Sequence, residues 1–392
     1  MPRKLNRREI LTRTLGAAAV AAAGPGLELR AFPPAIQDLS SQAPSSPVSL
    51  LRCESYDPQT FRTCLEKSLD LIGGVGDLVQ GKTVTIKVNL TGMTWEPVDG
   101  LPARETYQTH PHSLAALCAI LNDAGARRIY VVETLYWKKP FEEILEDSGW
   151  DVKAIQSAGG HKVQFEDIRN RGSWSDYARF QVPWGGFMFP AFDLNRRFHD
   201  TDVLISLAKL KEHACAGITG VIKNCFGNTP CSLYGNDSPS EDALLHRTSI
   251  FHNGEKPVSG DVPAELEHGK SNSQFVRVPN ITADIYGARP ADLGIVDGVR
   301  TIRGGEGHWN RGVSVVEPKL LIAGRNGVCT DAVCTAAMGF DPLAAPETKP
   351  FPGDNHLNLM ASVGLGTNDP ERIEVAGLSL EEAVFPFSGR TA

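Results

Sequence analysis

The chain has 392 residues, with 39 Lys and Arg against 46 Asp and Glu and a formal net charge of −7. That length holds one large domain or two ordinary ones with a substantial core, and a charged fraction of 22% is that of a globular chain rather than a disordered one. The acidic balance argues against a nucleic-acid binder, which normally needs a basic face, and no run approaches the roughly 18 apolar residues that span a bilayer.

The first residues read as an address. Arg3, Lys4, Arg7 and Arg8 form a basic start, a weakly apolar stretch runs from Ile10 to Ala23 with Arg13 inside it, and Ala21-Ala22-Ala23 supplies small residues suited to cleavage. Arg7-Arg8 followed by Ile10-Leu11 resembles a twin-arginine export signal. The alternative is a basic amphipathic helix. The expectation is a signal over residues 1–23, the twin-arginine translocase as partner during export, and a periplasmic destination. Cleavage after Ala23 would remove five basic residues and one acid, taking the net charge from −7 to −11. Residues 24–47, rich in Pro, Ser and Ala without a period, read as a flexible linker. The rest, 48–392, reads as a single α/β domain, in one body or two lobes.

Within that domain, Phe61, Cys64, Leu65, Leu69 and Ile72 mark one helical face, and Val84, Ile86 and Val88 alternate as in a strand. Leu114, Leu117, Cys118 and Leu121 predict a second helix ended by Gly125. Ile129–Val132, Val203–Ile205, Leu293–Val296 and Leu320–Ile322 are unbroken apolar strands, and Cys329 to Met338 reads as a further helix. Such strands, separated by helices, predict a mostly parallel sheet covered on both faces. Residues 168–200 and 228–272 are polar and irregular and read as long loops.

Ligands gather at the carboxyl ends of the strands in such sheets. There the chain carries Lys87 and Asn89, then Lys209, Lys211 and His213, then Lys223 and Asn224. Ammonium groups brought together repel unless an anion sits between them, so these side chains suit a carboxylate or phosphate ligand, as does a helix opened by Gly217–Gly220 with free N–H groups. Solvated lysines at loop tips are the alternative. His213 and His110 are candidate proton carriers, although a lone histidine also serves as structure, and His110 before Pro111 also suits a helix start. Asp297, Glu306, His308 and Asp331 offer oxygen and nitrogen ligands for a divalent metal; a turn at Asp297-Gly298 and a helix charge at Asp331 are the competing readings.

The eight cysteines form no CxxC pair, so zinc-ribbon and ferredoxin readings fail, and an iron–sulfur cluster on Cys215, Cys225 and Cys231 is left only as an alternative cofactor. Gly304-Gly305-Glu306-Gly307 is not followed by Gly-Lys-Ser/Thr, and GxSxG, HExxH and GxGxxG are absent.

Taken in order, KVNL at 87–90, the segment beginning HPHSLAALCAIL, DTDVLISLAKLKEHACAGITGVIKNCFGN at 200–228, ADLGIVDGVRTIRGGEGHWNRG, TDAVCTAAMGFDP and the late Gly364–Gly366 resemble the domain-of-unknown-function family 362. The resemblance covers roughly Leu50 to Val375. It implies an often exported bacterial protein, in some members with an appended iron–sulfur module whose cysteine motifs this chain lacks. The family's usual Gly-Pro after the glycine-rich loop is Gly307-His308 here. The sequence therefore predicts an exported enzyme performing acid/base chemistry on a small anionic substrate, metal-assisted or not, with a ligand-binding or redox-accessory protein as the alternative.

Overall fold

The computed structural model describes residues 37–169, 176–240 and 246–388, so the expected signal and the first part of the expected linker lie outside the described residues. The sheet has eight strands: β1 Val48–Arg52, β2 Thr83–Lys87, β3 Arg128–Glu133, β4 Val163–Asp167, β5 Val203–Lys209, β6 Leu293–Gly298, β7 Leu320–Gly324 and β8 Val375–Gly377. Their order across the sheet is β8-β1-β7-β6-β5-β2-β3-β4. Only β7 runs against its neighbours; every other pairing is parallel.

The unbroken apolar strands are buried on both sides, as a covered parallel sheet requires. Alternate residues of β5 go to opposite faces. Ile205 and Leu207 pack with Phe61, Leu65, Leu114 and Leu117 from helices α1 (Pro58–Asp70) and α2 (Pro111–Asp123). Leu204 and Ala208 pack on the other face with residues of α3 (Gly220–Asn224), α4 (Gln274–Ala288) and α5 (Gly327–Ala337). Both α1 and α2 begin with a proline behind a capping side chain: Asp57 accepts from the Thr60 N–H at 2.9 Å and His110 Nδ1 from the His112 N–H at 3.1 Å.

Two expectations change. The loop read over 168–200 contains a β-hairpin, Tyr177–Gln181 against Ala191–Asn195. The last residues of the expected linker are held by the domain rather than free. The Leu39 N–H donates to Ser362 O at 2.8 Å, the Thr367 N–H to Pro44 O at 2.9 Å, and the Arg372 guanidinium to Ser40 O and Ala43 O at 3.0 and 2.7 Å. Composition shows a lack of apolar periodicity but not a distant arginine that satisfies backbone carbonyls.

From β2 the chain winds outward through β3 and β4, then returns to lay β5 and β6 on the other side of β2. The loops leaving β2 and β5 therefore diverge, and the crevice between them is where this architecture places ligands.

Candidate functional site

A cavity of about 600 Å³ opens at that crevice. Lys87, Asn89, Lys211, His213, Lys223, Asn224, Glu306 and His308 all line it, and so do Glu133, Thr219, Arg247 and His252, which the sequence did not single out.

The lysines are not equivalent. Lys87 Nζ lies 2.7 Å from Glu133 Oε1 and also donates to Val88 O at 2.7 Å. The Glu133 carboxylate is held in turn by the N–H groups of Leu90 and Thr134, each at 2.9 Å. Gly227 lets this lysine pass, since a Cβ there would stand 3.0 Å from Lys87 Nζ. Lys211 Nζ donates to three oxygens, Asn89 Oδ1 at 3.1 Å, Tyr107 O at 2.6 Å and Glu306 O at 2.9 Å, which uses every N–H of an ammonium. Asn89 and Asn224 are wired together at 2.9 Å, and Asn224 continues to Lys87 O and Ser206 Oγ, so the two amides tie the β2 exit to α3.

Lys223 stands apart. Among the described residues its ammonium has no oxygen partner; it sits 3.8 Å above the Phe226 ring. Burial pushes its pKa down to about 7 against the upward pull of Glu306, and burial likewise takes Lys211 down to about 7. Two buried polar atoms on the wall, Thr219 Oγ1 and His252 Nδ1, have no hydrogen-bond partner among the described residues.

The His213 ring is oriented by the chain that follows it. Its Nδ1 accepts from the N–H groups of Cys215 at 3.1 Å and Ala216 at 3.3 Å, so the neutral ring carries its proton on Nε2. Burial lowers its pKa to about 3, which keeps it neutral. A ring held in this way has its one proton to donate on Nε2. Burial raises the Glu306 carboxyl, but the neighbouring imidazole and the N–H groups of Ala214 (2.8 Å) and Trp309 (3.0 Å) outweigh it and hold the group down at about 2.

Four expected site residues lie elsewhere. Lys209 is wholly buried and donates to Tyr56 Oη at 2.8 Å, Arg300 O at 2.7 Å and Asp297 Oδ2 at 3.2 Å. Asp297 also accepts from Tyr56 Oη at 2.8 Å and Ser113 Oγ at 3.0 Å. His110 stacks on the Tyr56 ring with centroids 3.6 Å apart, and its Nδ1 is spent on the helix cap. These three belong to a buried network beside the cavity, not to its wall. Asp331 accepts from the Val221 and Ile222 N–H groups at 2.7 and 2.9 Å. The helix opening after Gly220 was expected to offer its N–H groups to an anion; a carboxylate from α5 already takes them.

The expected metal set is thus dispersed: only Glu306 and His308 reach the cavity, and His308 turns to Thr94 Oγ1 at 3.1 Å. Among the described residues no group of three or more His, Cys, Asp or Glu side chains is placed to hold a metal ion, and that includes Cys215, Cys225 and Cys231, all free thiols.

Residues 84–336, which include the sheet core and all the lysines above, match the family described as "Domain of unknown function (DUF362)". The chain belongs to this family. This DUF362 protein is 26% identical over 355 residues to a thylakoid-associated protein of Synechocystis sp., covering 87% of this chain and 89% of that one. Among solved structures, the lactate racemase apoprotein from Thermoanaerobacterium thermosaccharolyticum matches with a TM-score of 0.38 and 12% identity over 69% of this chain; the DUF362 chain spans 54% of that protein. A Thermotoga maritima protein matches with a TM-score of 0.36 and 12% identity over 86% of this chain and 92% of its own. At these scores neither likeness bears on the chemistry of the cavity.

Proposed function

We propose that this DUF362 chain is an enzyme that binds a small carboxylate- or phosphate-bearing substrate in the cavity and moves a proton on it. The observation that carries the reading is Lys223: a cation on the cavity wall without an ion-pair partner among the described residues, beside two buried polar atoms without a hydrogen-bond partner there. With Lys87 offset by Glu133, the wall still carries Lys211, Lys223 and Arg247 against Glu306. That excess attracts an anion even though the whole chain is acidic. The amine of Lys223, near neutrality, is the base, and the Nε2–H of His213 is the donor toward charge that develops on the substrate. Export through the twin-arginine route and action in the periplasm belong to the same proposal, supported by Arg7-Arg8 and the small-residue site at Ala21–Ala23.

The test is thermal-shift titration of the full chain with phosphate, oxalate and succinate, followed by a product assay on whichever class binds. Stabilisation by one class, lost in Lys223→Met, is expected. No stabilisation by any of the three overturns the anion reading; binding without turnover makes the protein a carrier and overturns the enzymatic part.

A further inference from the structure

The hydrogen bonds of Lys87, Lys209, Lys211 and Lys223 differ in a way that selects one of them for covalent chemistry. Three are committed: Lys87 to Glu133 and Val88 O, Lys209 to Tyr56, Asp297 and Arg300 O, and Lys211 to three oxygens. An amine so held cannot present a lone pair to an electrophile without breaking those bonds. Among the described residues Lys223 has no such bond; it is anchored on α3 within the core and lines the cavity. Its nitrogen lies 3.8 Å above the Phe226 ring, and Arg247 and Lys87 stand near enough to disfavour its charge.

We propose that Lys223 is a nucleophilic lysine that forms a Schiff base with a substrate bearing both a carboxylate and an adjacent carbonyl, a 2-oxo acid. The inference rests on the anion reading above, names the substrate class of the same site and gives the Lys223 amine a covalent role in place of the Brønsted-base role. The neutral amine adds its lone pair to the carbonyl carbon, and the carbonyl π pair goes to oxygen, which takes a proton to give a carbinolamine. That oxygen leaves as water with a second proton while the nitrogen lone pair forms the C=N bond. Nitrogen loses one of its own protons on the way, so the sum is amine plus carbonyl plus one proton from solvent, giving a protonated imine and one water. No oxidant or reductant is consumed. Lys211, with its ammonium hydrogen bonds complete, holds the carboxylate by charge, and the His213 Nε2–H is the donor toward the carbonyl oxygen. The protonated imine then draws electrons from the bond next to it, which is what a proton transfer or a decarboxylation at the neighbouring carbon needs. Burial lowers Lys223 to about 7, so the free amine is present at neutral pH.

The full chain is incubated with glyoxylate or pyruvate, reduced with borohydride and mapped by peptide mass spectrometry. Glyoxylate should leave a carboxymethyl group on Lys223 in excess over every other lysine, and the adduct should vanish in Lys223→Arg with an unchanged melting temperature. If Lys223→Arg fails to fold, competition settles the matter instead: oxalate, which lacks the reactive carbonyl, should suppress labelling of the wild-type chain. Equal labelling of surface lysines and Lys223, or labelling indifferent to oxalate, overturns the inference. Thermal stabilisation by oxalate without an adduct on Lys223 also overturns it and leaves the anion reading standing. No stabilisation by any carboxylate or phosphate overturns the anion reading itself.

Discussion

The Lys87 ammonium lies 2.7 Å from a Glu133 carboxylate oxygen, with both side chains nearly inaccessible. They sit at the ends of neighbouring parallel strands, where Lys87 pairs in register with Val132, so the two charges meet across the floor of the cavity. Removing one partner leaves the other as a buried, uncompensated ion, and such losses cost about 3–5 kcal/mol. Glu133→Gln should therefore lower the free energy of unfolding by about that amount in a denaturant titration. Adding Lys87→Met should restore much of it. A single variant as stable as the wild type would mean that the pair carries no such coupling.

Asp331 and Gly220 test the helix opening. A Cβ at Gly220 would stand 2.3 Å from Asp331 Oδ1, and the residue has a φ of +51°. Gly220→Ala should destabilise through both backbone and clash. Asp331→Ala leaves the N–H groups of Val221 and Ile222 buried without acceptors, at about 1–3 kcal/mol each. Asp331→Asn keeps one acceptor and should fall between. Burial raises the Asp331 carboxyl to about 7, above its unfolded value. The folded state therefore binds the proton more tightly, and this group's contribution declines as pH rises from about 4 to about 7. Asp331→Asn should remove that part of the slope in melting curves taken across the range.

Much of this architecture was legible because unbroken apolar strands betray a doubly covered sheet, and strand ends are a small set of positions to search. Lys87, Lys211, His213 and Lys223, picked out in that search, all line one cavity. Glu133 was missed although it closes the strand beginning at Arg128, one position past the register partner of Lys87. Thr219 and His252 carry no spacing signal; they become visible only as buried atoms without partners. Lys209 and Asp297 were misplaced for a physical reason. A residue at a strand end can turn into the layer beneath as readily as outward, and Tyr56, far away in sequence, supplies the hydroxyl that draws both inward.

The low pKa values of Lys211 and Lys223 predict a pH dependence of the opposite sign to that of Asp331. For a base whose folded pKa lies near 7 against an unfolded value near 10.5, the unfolded chain holds more protons between those limits. Stability from these groups therefore rises with pH through that window and is at its lowest below about 7. Lys223→Met removes a buried cation with no oxygen partner among the described residues, so the variant should be more stable than the wild type at pH 6. The gap should close toward pH 10. Denaturant titrations at the two pH values read this directly; a variant less stable at pH 6 would mean that the Phe226 contact outweighs the cost of burying the charge.

Anion affinity should run the other way, because it needs the protonated amine. As pH rises through about 7, Lys223 loses its charge, and binding of oxalate or phosphate should weaken by about tenfold per pH unit where this group alone governs it. His213 does not contribute to the fall, since burial keeps it neutral down to about 3. Glu306, ionised above about 2, is constant throughout. The residual affinity at high pH measures the fixed charge of Arg247 and whatever fraction of Lys211 its three oxygen acceptors hold protonated. Isothermal titration from pH 6 to pH 9 should show a fall in the wild type and a clearly shallower one in Lys223→Gln, where Lys211 alone still titrates near 7. A fall of undiminished size in the variant would assign the titrating charge to Lys211, and with it the anion's main contact.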